Sequence, residues 1–521
     1  MRGAGVRGAA RERRAGRSPA PRAGCAAAGK RAARLCCALL LIASPRVQAA
    51  AVDAGPGDAL ARIAALVADP RLGGARVGLL AIDLGSGRIL AQHAADRSLL
   101  VASTAKLITA AAALELLGGH YRLRTEVFSA GPAPLRGGVL AGDLYLKGHG
   151  DPSLDDADLW RLARRLRELG LRRVRGALVL DESYFVGPRL PPLYDTRDTD
   201  AFYRPATGAL SLHDNVVTIG VRPSVVGQPV IVTLIPPSAY LRLDNSALTV
   251  GPPQRSALNL STEAVGDRTI VHVRGTLRAG ASAVWDRRRI EDPGLFVGLT
   301  FRELLEREGI RFGRRALRRQ ALPPQARRLL SHRSEPLVEL IRRMNKQSSN
   351  VIAEQLVRVL GAEATGAPGS WAAGLAVLER WLASAGLRPG SYQLKNGSGL
   401  YEAAVFTPRQ IVAVLTRSWR DFRCGPELVS SLAIAGADGT LAQRLAGGTA
   451  ARYVRGKTGT LAEVVALSGY GGLASGGAPI AFSIIFNGLP IERVRAARRV
   501  ADALAETLLE AQRSALGAHK P

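Results

Sequence analysis

Ser103-Thr-Ala-Lys106 opens an apolar run, Leu107-Ile-Thr-Ala-Ala-Ala-Ala-Leu-Glu-Leu-Leu117, that stops at Gly118-Gly119. The composition predicts a buried helix that starts near Ser103 and ends at the glycines. Residues three apart at a helix start share a face, so Ser103 and Lys106 are within reach of each other. A hydroxyl is a poor nucleophile until something takes its proton, and a lysine desolvated in an apolar setting can do so. The helix amino terminus adds N–H groups that favour an oxyanion. On their own the two residues fit equally well as an N-cap and a solvated cation.

Lysine usage gives the pair weight. Of 71 basic residues only seven are lysine: Lys30, Lys106, Lys147, Lys346, Lys395, Lys457 and Lys520. Where a fixed surface cation suffices the chain uses arginine, so a lysine in the folded part invites a reason specific to an amine, of which losing a proton to act as a base is one; chance usage is the alternative and suffices for Lys395 and Lys520. Two further clusters contain or adjoin such lysines. Ser348-Ser349-Asn350 follows Met344-Asn-Lys346 in a bend between two helical stretches, where a second serine and an amide could relay a proton and hold a substrate; capping of the next helix is the alternative. Lys457-Thr458-Gly459-Thr460 lies on a strand that begins at Tyr453. An edge there can pair with an extended peptide, the lysine and threonines can bind a terminal carboxylate, and glycine allows close backbone approach.

Ser-x-x-Lys, Ser-Asp-Asn and Lys-Thr-Gly form the motif set of class A β-lactamases and penicillin-binding proteins. This chain carries them in that order and differs only at Ser349. Gly142-Asp-Leu-Tyr-Leu-Lys-Gly148, Gly150-Asp-Pro-Ser153, Asp181-Glu-Ser-Tyr-Phe185, Ala209-Leu-Ser-Leu212, Asn215-Val-Val217, Asn396-Gly-Ser-Gly-Leu400 and Ala435-Gly-Ala-Asp-Gly-Thr-Leu441 extend the pattern over roughly residues 55 to 510. On these residues the chain resembles the class C low-molecular-mass penicillin-binding proteins, the D-alanyl-D-alanine carboxypeptidase/endopeptidase group of penicillin-binding protein 4 type. Asn396 stands where that group usually has Asp, and His149 and His213 are also departures.

The resemblance implies an acyl-enzyme on Ser103, with Lys106 as its base and Ser348 passing a proton to the leaving D-alanine. Asn350 would hold the substrate backbone, and Lys457 and Thr458 the carboxylate. The N–H groups of Ser103 and Thr460 would form the oxyanion hole, with Gly459 between the two threonines. Peptidoglycan peptides ending in D-Ala-D-Ala, cross-linked muropeptides and β-lactam antibiotics are the implied partners, and no metal or organic cofactor is required. A β-lactamase is a weaker alternative, because no glutamate motif suits a deacylation base. A non-catalytic wall-binding protein on the same fold is the other.

The implied fold is α+β, a penicillin-binding/serine β-lactamase-like transpeptidase domain with an antiparallel sheet flanked by helices. Helical spacing over Asp58 to Ala68 precedes two strands within Val77 to His93 around Gly85-Ser-Gly87. From about 126 to 325 short β-rich runs (Val139 to Lys147, Ala177 to Leu180, Val216 to Val221, Val230 to Leu234, Ile270 to Leu277) predict an inserted β-rich region. Helices then resume at Leu337 to Met344, Val351 to Leu360 and Trp371 to Ala385. Strands at Tyr453 to Thr460, Val464 to Tyr470 and Ile480 to Asn487 precede a closing helix from Ile491. The two ends should share one sheet. The predicted organisation is therefore a discontinuous domain, 54–125 with 326–515, around an insert at 126–325.

The charge of +28 does not point to nucleic acid. Residues 1 to 49 hold eleven Lys or Arg against one acid, Glu12, and elsewhere the arginines are spread over helical faces with no basic block interleaved with aromatics. That leader, with a nine-residue apolar run from Leu35 to Ala43 and small residues around Ala49, reads as a signal peptide with a long basic front; retention as an anchor is the alternative. Export would place the protein in the periplasm or cell-wall space of a bacterium. No later segment is apolar for long enough to span a bilayer. Cys25, Cys36 and Cys37 lie in the leader and Cys424 stands alone, so the rest of the chain can form no internal disulfide, and the seven histidines have no metal-ligand spacing.

Overall fold

Val464–Gly471 and Ile480–Asn487 are buried along their whole length, as strands covered on both faces must be. Alternate residues feed two cores. Phe482, Ile484 and Phe486 join Ala497, Val500, Ala501, Leu504 and Leu508 of the closing helix Val494–Gly517, whereas Ala481 and Ile485 join the Lys106–Leu117 helix. These strands form the centre of a six-stranded antiparallel sheet. Its order is Ile89–His93, Arg76–Asp83, Ile480–Asn487, Val464–Gly471, Val454–Leu461, Ala433–Ile434. Arg76 pairs with Asn487 and Asp83 with Ile480, so both ends of the chain do share one sheet. The computed structural model describes residues 56–131, 137–197 and 199–517; the leader at 1–49 lies outside the described residues.

One face of the sheet carries Pro56–Val67 and Val494–Gly517. The other carries a helical layer built around Lys106–Leu117, in which every residue from Lys106 to Leu114 is buried. A helix apolar all round belongs inside such a layer rather than at its surface. Leu337–Gln347, Asn350–Thr365, Trp371–Ser384, Pro408–Arg420 and Gly425–Ser431 pack around it. The last two of these helices were not singled out from the sequence.

Residues between about 124 and 333 build a separate core that runs from Val127 to Leu330. A five-stranded sheet in the order Arg318–Arg319, Leu178–Asp181, Leu144–Gly148, Arg124–Ser129, Arg327–Arg333 leads into two smaller β assemblies over residues 216–289. The region is not purely β. Asp156–Glu168 begins at a capping box on Asp155, and Pro293–Arg307 begins at Asp292, whose side chain accepts from Leu295 N. Gly294 and Gly298 weaken the helical signal of the second. A Cβ at Gly294 would meet the Glu182 carboxylate, and one at Gly298 would lie 2.7 Å from a Leu180 methyl, so either would displace the side chain packed there. Among the described residues no helix is long and apolar enough to cross a membrane.

Candidate active site

Ser103 does not sit on the first α-turn. A single 3-10 turn, Ala102–Ala105, precedes the helix, with Ala102 at φ 48° and Thr104 Oγ1 donating to Val101 O. The α-helix proper starts at Lys106, whose backbone N–H reaches the carbonyls of Ser103 and Thr104. Lys106 is fully buried, and its Nζ lies 2.9 Å from Ser103 Oγ, 2.7 Å from Asn350 Oδ1 and 3.0 Å from Ser398 O. Burial holds this amine down to about 7, against the opposing pull of the Glu354 carboxylate. A neutral amine has two N–H groups and one lone pair. With the two carbonyls taking the N–H groups, the lone pair is left facing the Ser103 hydroxyl.

The bend between helices supplies the second hydroxyl. Ser348 follows Leu337–Gln347 in the left-handed region at φ 59°, a conformation that costs a non-glycine residue energy and that the surrounding packing must hold. Ser349 then caps Asn350–Thr365, which leaves Asn350 on the first turn with its side chain directed at Lys106. Lys457 is also fully buried; its Nζ donates to Ser348 Oγ at 2.9 Å and to Thr458 O at 2.7 Å. Desolvation first, and the nearby Lys106 second, hold it well below the ordinary lysine value. Its amine therefore faces Ser348, and among the Lys457-Thr-Gly-Thr460 residues the outer groups are hydroxyls. Thr458 Oγ1 donates to Thr440 Oγ1 at 2.8 Å, and Thr460 is exposed. At Gly459 a Cβ would stand 2.8 Å from Val101 O, so the close approach glycine permits is between this strand and the Ser103 turn.

Ser103, Ser348, Asn350 and Thr460 line one groove of about 670 Å3. Arg197, Tyr203 and Tyr401 line it as well. Asn350 uses its remaining donors here: Nδ2 donates to Tyr203 O at 2.6 Å. All three sequence-distant clusters therefore meet, and residues from the 126–325 region complete the groove.

Three residues at the site had not been singled out. Glu354, one turn beyond Asn350, is fully buried and accepts from Gly397 N at 3.0 Å and Ser398 N at 2.9 Å. Tyr194, also fully buried, brings its hydroxyl to 2.9 Å from Ser398 Oγ. Ser398 lies in the quoted Asn396-Gly-Ser-Gly-Leu400 stretch, and a lone carboxylate within the apolar Val351 to Leu360 run is the signal that could have found Glu354. The unusual Asn396 has a structural reason: its Nδ2 donates to Pro192 O at 3.1 Å and Leu400 O at 3.3 Å, while Oδ1 accepts from Gly399 N at 2.9 Å. His213 bonds Asp156 Oδ1 at 2.7 Å, and His149 packs edge-on against Tyr184.

The arrangement offers a hydroxyl beside a base, a second hydroxyl beside a second amine, and exposed hydroxyl and amide groups along a groove, which together suit acyl transfer. Comparisons with known proteins agree with this chemistry. The model of the D-Ala-D-Ala carboxypeptidase 3 (S13) family matches residues 59–509. A D-alanyl-D-alanine carboxypeptidase of an Actinomadura species is 35% identical over 444 residues, covering 82% of this chain and 80% of that one. D-alanyl-D-alanine carboxypeptidase DacB of Haemophilus influenzae is 26% identical over 417 residues, covering 80% and 86%. The crystal structure of penicillin binding protein 4 from Haemophilus influenzae superposes with a TM-score of 0.73 at 23% identity, covering 85% of this chain and 99% of that one, which shows the fold.

Proposed function

The chain belongs to the D-Ala-D-Ala carboxypeptidase 3 (S13) family, and on that premise we propose how its groove performs the reaction. The protein is a serine-type D-Ala-D-Ala carboxypeptidase, a DD-peptidase. Ser103 Oγ attacks the carbonyl carbon of the penultimate D-alanine as its proton passes to Lys106 Nζ. The oxyanion is held by the N–H groups of Ser103 and Thr460. Ser348, oriented by Lys457, delivers its proton to the departing D-alanine nitrogen and regains one from the charged Lys106, which passes on the proton it took from Ser103 and is neutral again before deacylation. Asn350 anchors the substrate backbone once Tyr203 O yields its amide, and Thr458 and Thr460 hold the carboxylate across Gly459. Water hydrolyses the ester on Ser103 with Lys106 again as base. A β-lactam acylates the same serine, and its opened ring stays tethered where the leaving group would have departed. The observation that carries these roles is the placement of Lys106 Nζ among Ser103 Oγ, Asn350 Oδ1 and Ser398 O.

Residues 126–325 form an insert within a domain made of 54–125 and 326–515, a partition supported by the separate core from Val127 to Leu330. Residues 1–49 direct export to the periplasm or cell-wall space, where peptidoglycan peptides are the substrates. Incubation with muropeptides of defined sequence, followed by mass spectrometry, tests the reading. Wild-type protein is expected to remove one D-alanine from a pentapeptide stem, and Ser103→Ala none. Equal turnover by both would overturn it. Cleavage of a cross-linked dimer would add endopeptidase action.

A further inference from the structure

Ser398 O is one of the two carbonyls that hold the Lys106 amine, and besides the turn's own bonds from Leu400 N and to Asn396 Oδ1, Ser398 is fixed by two buried side chains from elsewhere in the chain. Glu354 accepts the backbone N–H groups of Gly397 and Ser398, which pins the turn on the side away from the groove. Tyr194, from the 126–325 region, meets Ser398 Oγ at 2.9 Å and approaches Glu354 Oε1 at 3.4 Å. Tyr194 is in turn fixed by Arg204, whose Nε donates to its carbonyl, and by the edge of the Tyr401 ring, 5.8 Å away between centroids. A few residues further on, Tyr203 O takes the Asn350 amide, whose other end holds Lys106. Tyr194 thus bears on one carbonyl partner of the lysine, through Ser398, and Tyr203 on the other, through Asn350.

We propose that Glu354 and Tyr194 are positioning residues for acylation: through Ser398 they fix the carbonyl that orients the Lys106 lone pair toward Ser103, so the inserted region helps to set the base. This rests on the reading of Lys106 as the base. Burying a carboxylate this completely is costly and raises its carboxyl above the usual range, and the two backbone N–H groups that it accepts offset part of that cost. The groups that face Lys106 are Ser103 on its own turn, Asn350 and Glu354 from the Asn350–Thr365 helix, Ser398 from its turn, and Lys457 from the Val454–Leu461 strand. Glu354 is the single acid among them, and its attraction favours the charged amine.

The test is the pH profile of acylation by a fluorescent penicillin, measured with melting temperatures for wild type, Glu354→Gln, Glu354→Asp and Tyr194→Phe. Glu354→Gln is expected to move the rising limb toward acid by about one pH unit and to lower the plateau. Glu354→Asp keeps the charge and leaves the limb in place at a reduced plateau. Tyr194→Phe should cut the plateau about tenfold in a folded protein with the limb unmoved, because the base is misplaced without a change of charge. A Glu354→Gln limb that coincides with wild type would overturn the proposal, as would a Tyr194→Phe plateau equal to wild type. If Glu354→Gln does not fold, Tyr194→Phe decides. Failure of wild-type protein to label, or labelling of Ser103→Ala, would instead strike the catalytic reading itself.

Discussion

Lys457 Nζ lies 2.9 Å from Ser348 Oγ, with the amine fully buried and its charge disfavoured. Two amines thus stand behind two hydroxyls across one groove, Lys106 behind Ser103 and Lys457 behind Ser348. Each lysine is placed to exchange a proton with its serine rather than to present a charge to solvent. The division of labour follows from position: Ser103 is on the turn that starts a helix, and Ser348 is at the bend that ends another.

Replacing Lys457 should therefore separate activity from stability. Lys457→Met fills the space without the desolvated amine, so folding stability is expected to hold or to rise by up to about 2 kcal/mol. Acylation should fall by about 10²–10⁴, the usual worth of a positioned proton-transfer group. Urea unfolding and penicillin-labelling rates on the same preparations check both halves.

The pH dependence has two parts with a common cause. A protonated Lys106 has no lone pair, so acylation is expected to climb with pH through about 7 and then level. Stability changes over a different window. The folded-state amine is depressed to about 7, while the unfolded chain keeps the ordinary value of about 10.4. Between those values the unfolded state binds a proton that the folded state does not, so stability rises as pH rises across that interval. Below about 7 both states carry the charge and the full cost of burying it remains. Denaturant midpoints at pH 7 and pH 9 should differ less in Lys106→Met than in wild type.

Asn396→Asp should be destabilising here, although aspartate is usual at this place in the group the chain resembles. The side chain is fully buried and its amide donates to Pro192 O and Leu400 O. A carboxylate would face two carbonyls and add a second acid to the turn that Glu354 holds. The expected cost is about 2–4 kcal/mol. Burial raises such a carboxyl above its unfolded value, so the folded state keeps its proton longer and the penalty grows as pH rises from the carboxylate range. Thermal melts of the variant at pH 5 and pH 8, set against wild type, read this directly.

The meeting of the three clusters could be read from the sequence because their residues fall in short local patterns. Ser103 and Lys106 are one turn apart, Ser348 and Asn350 two residues apart, and Lys457 to Thr460 contiguous. The shared sheet was readable for a similar reason: Val464–Gly471 and Ile480–Asn487 carry no charge and are apolar but for Ser468, Tyr470, Ser483 and Asn487, a composition that suits a short strand covered on both faces. The supporting groups were not readable. Tyr194 lies 204 positions from Ser398 in the chain, and the contact exists only because the 126–325 region folds back over the groove. Glu354 carried a weak signal, a charge in an apolar helix, but its partners are the backbone N–H groups of a turn 43 and 44 positions away. The destination of the Lys457 amine also depends on tertiary structure. The residue type suggests a carboxylate, and burial turns it toward Ser348.

Peptide mapping after β-lactam exposure reads directly whether Ser103 Oγ is the atom acylated. Wild-type protein should gain the mass of one antibiotic molecule, carried on the peptide that contains Ser103, and Ser103→Ala should gain none. An adduct on Ser348 or any other residue, or an equal mass gain in Ser103→Ala, would show that Ser103 is not the nucleophile.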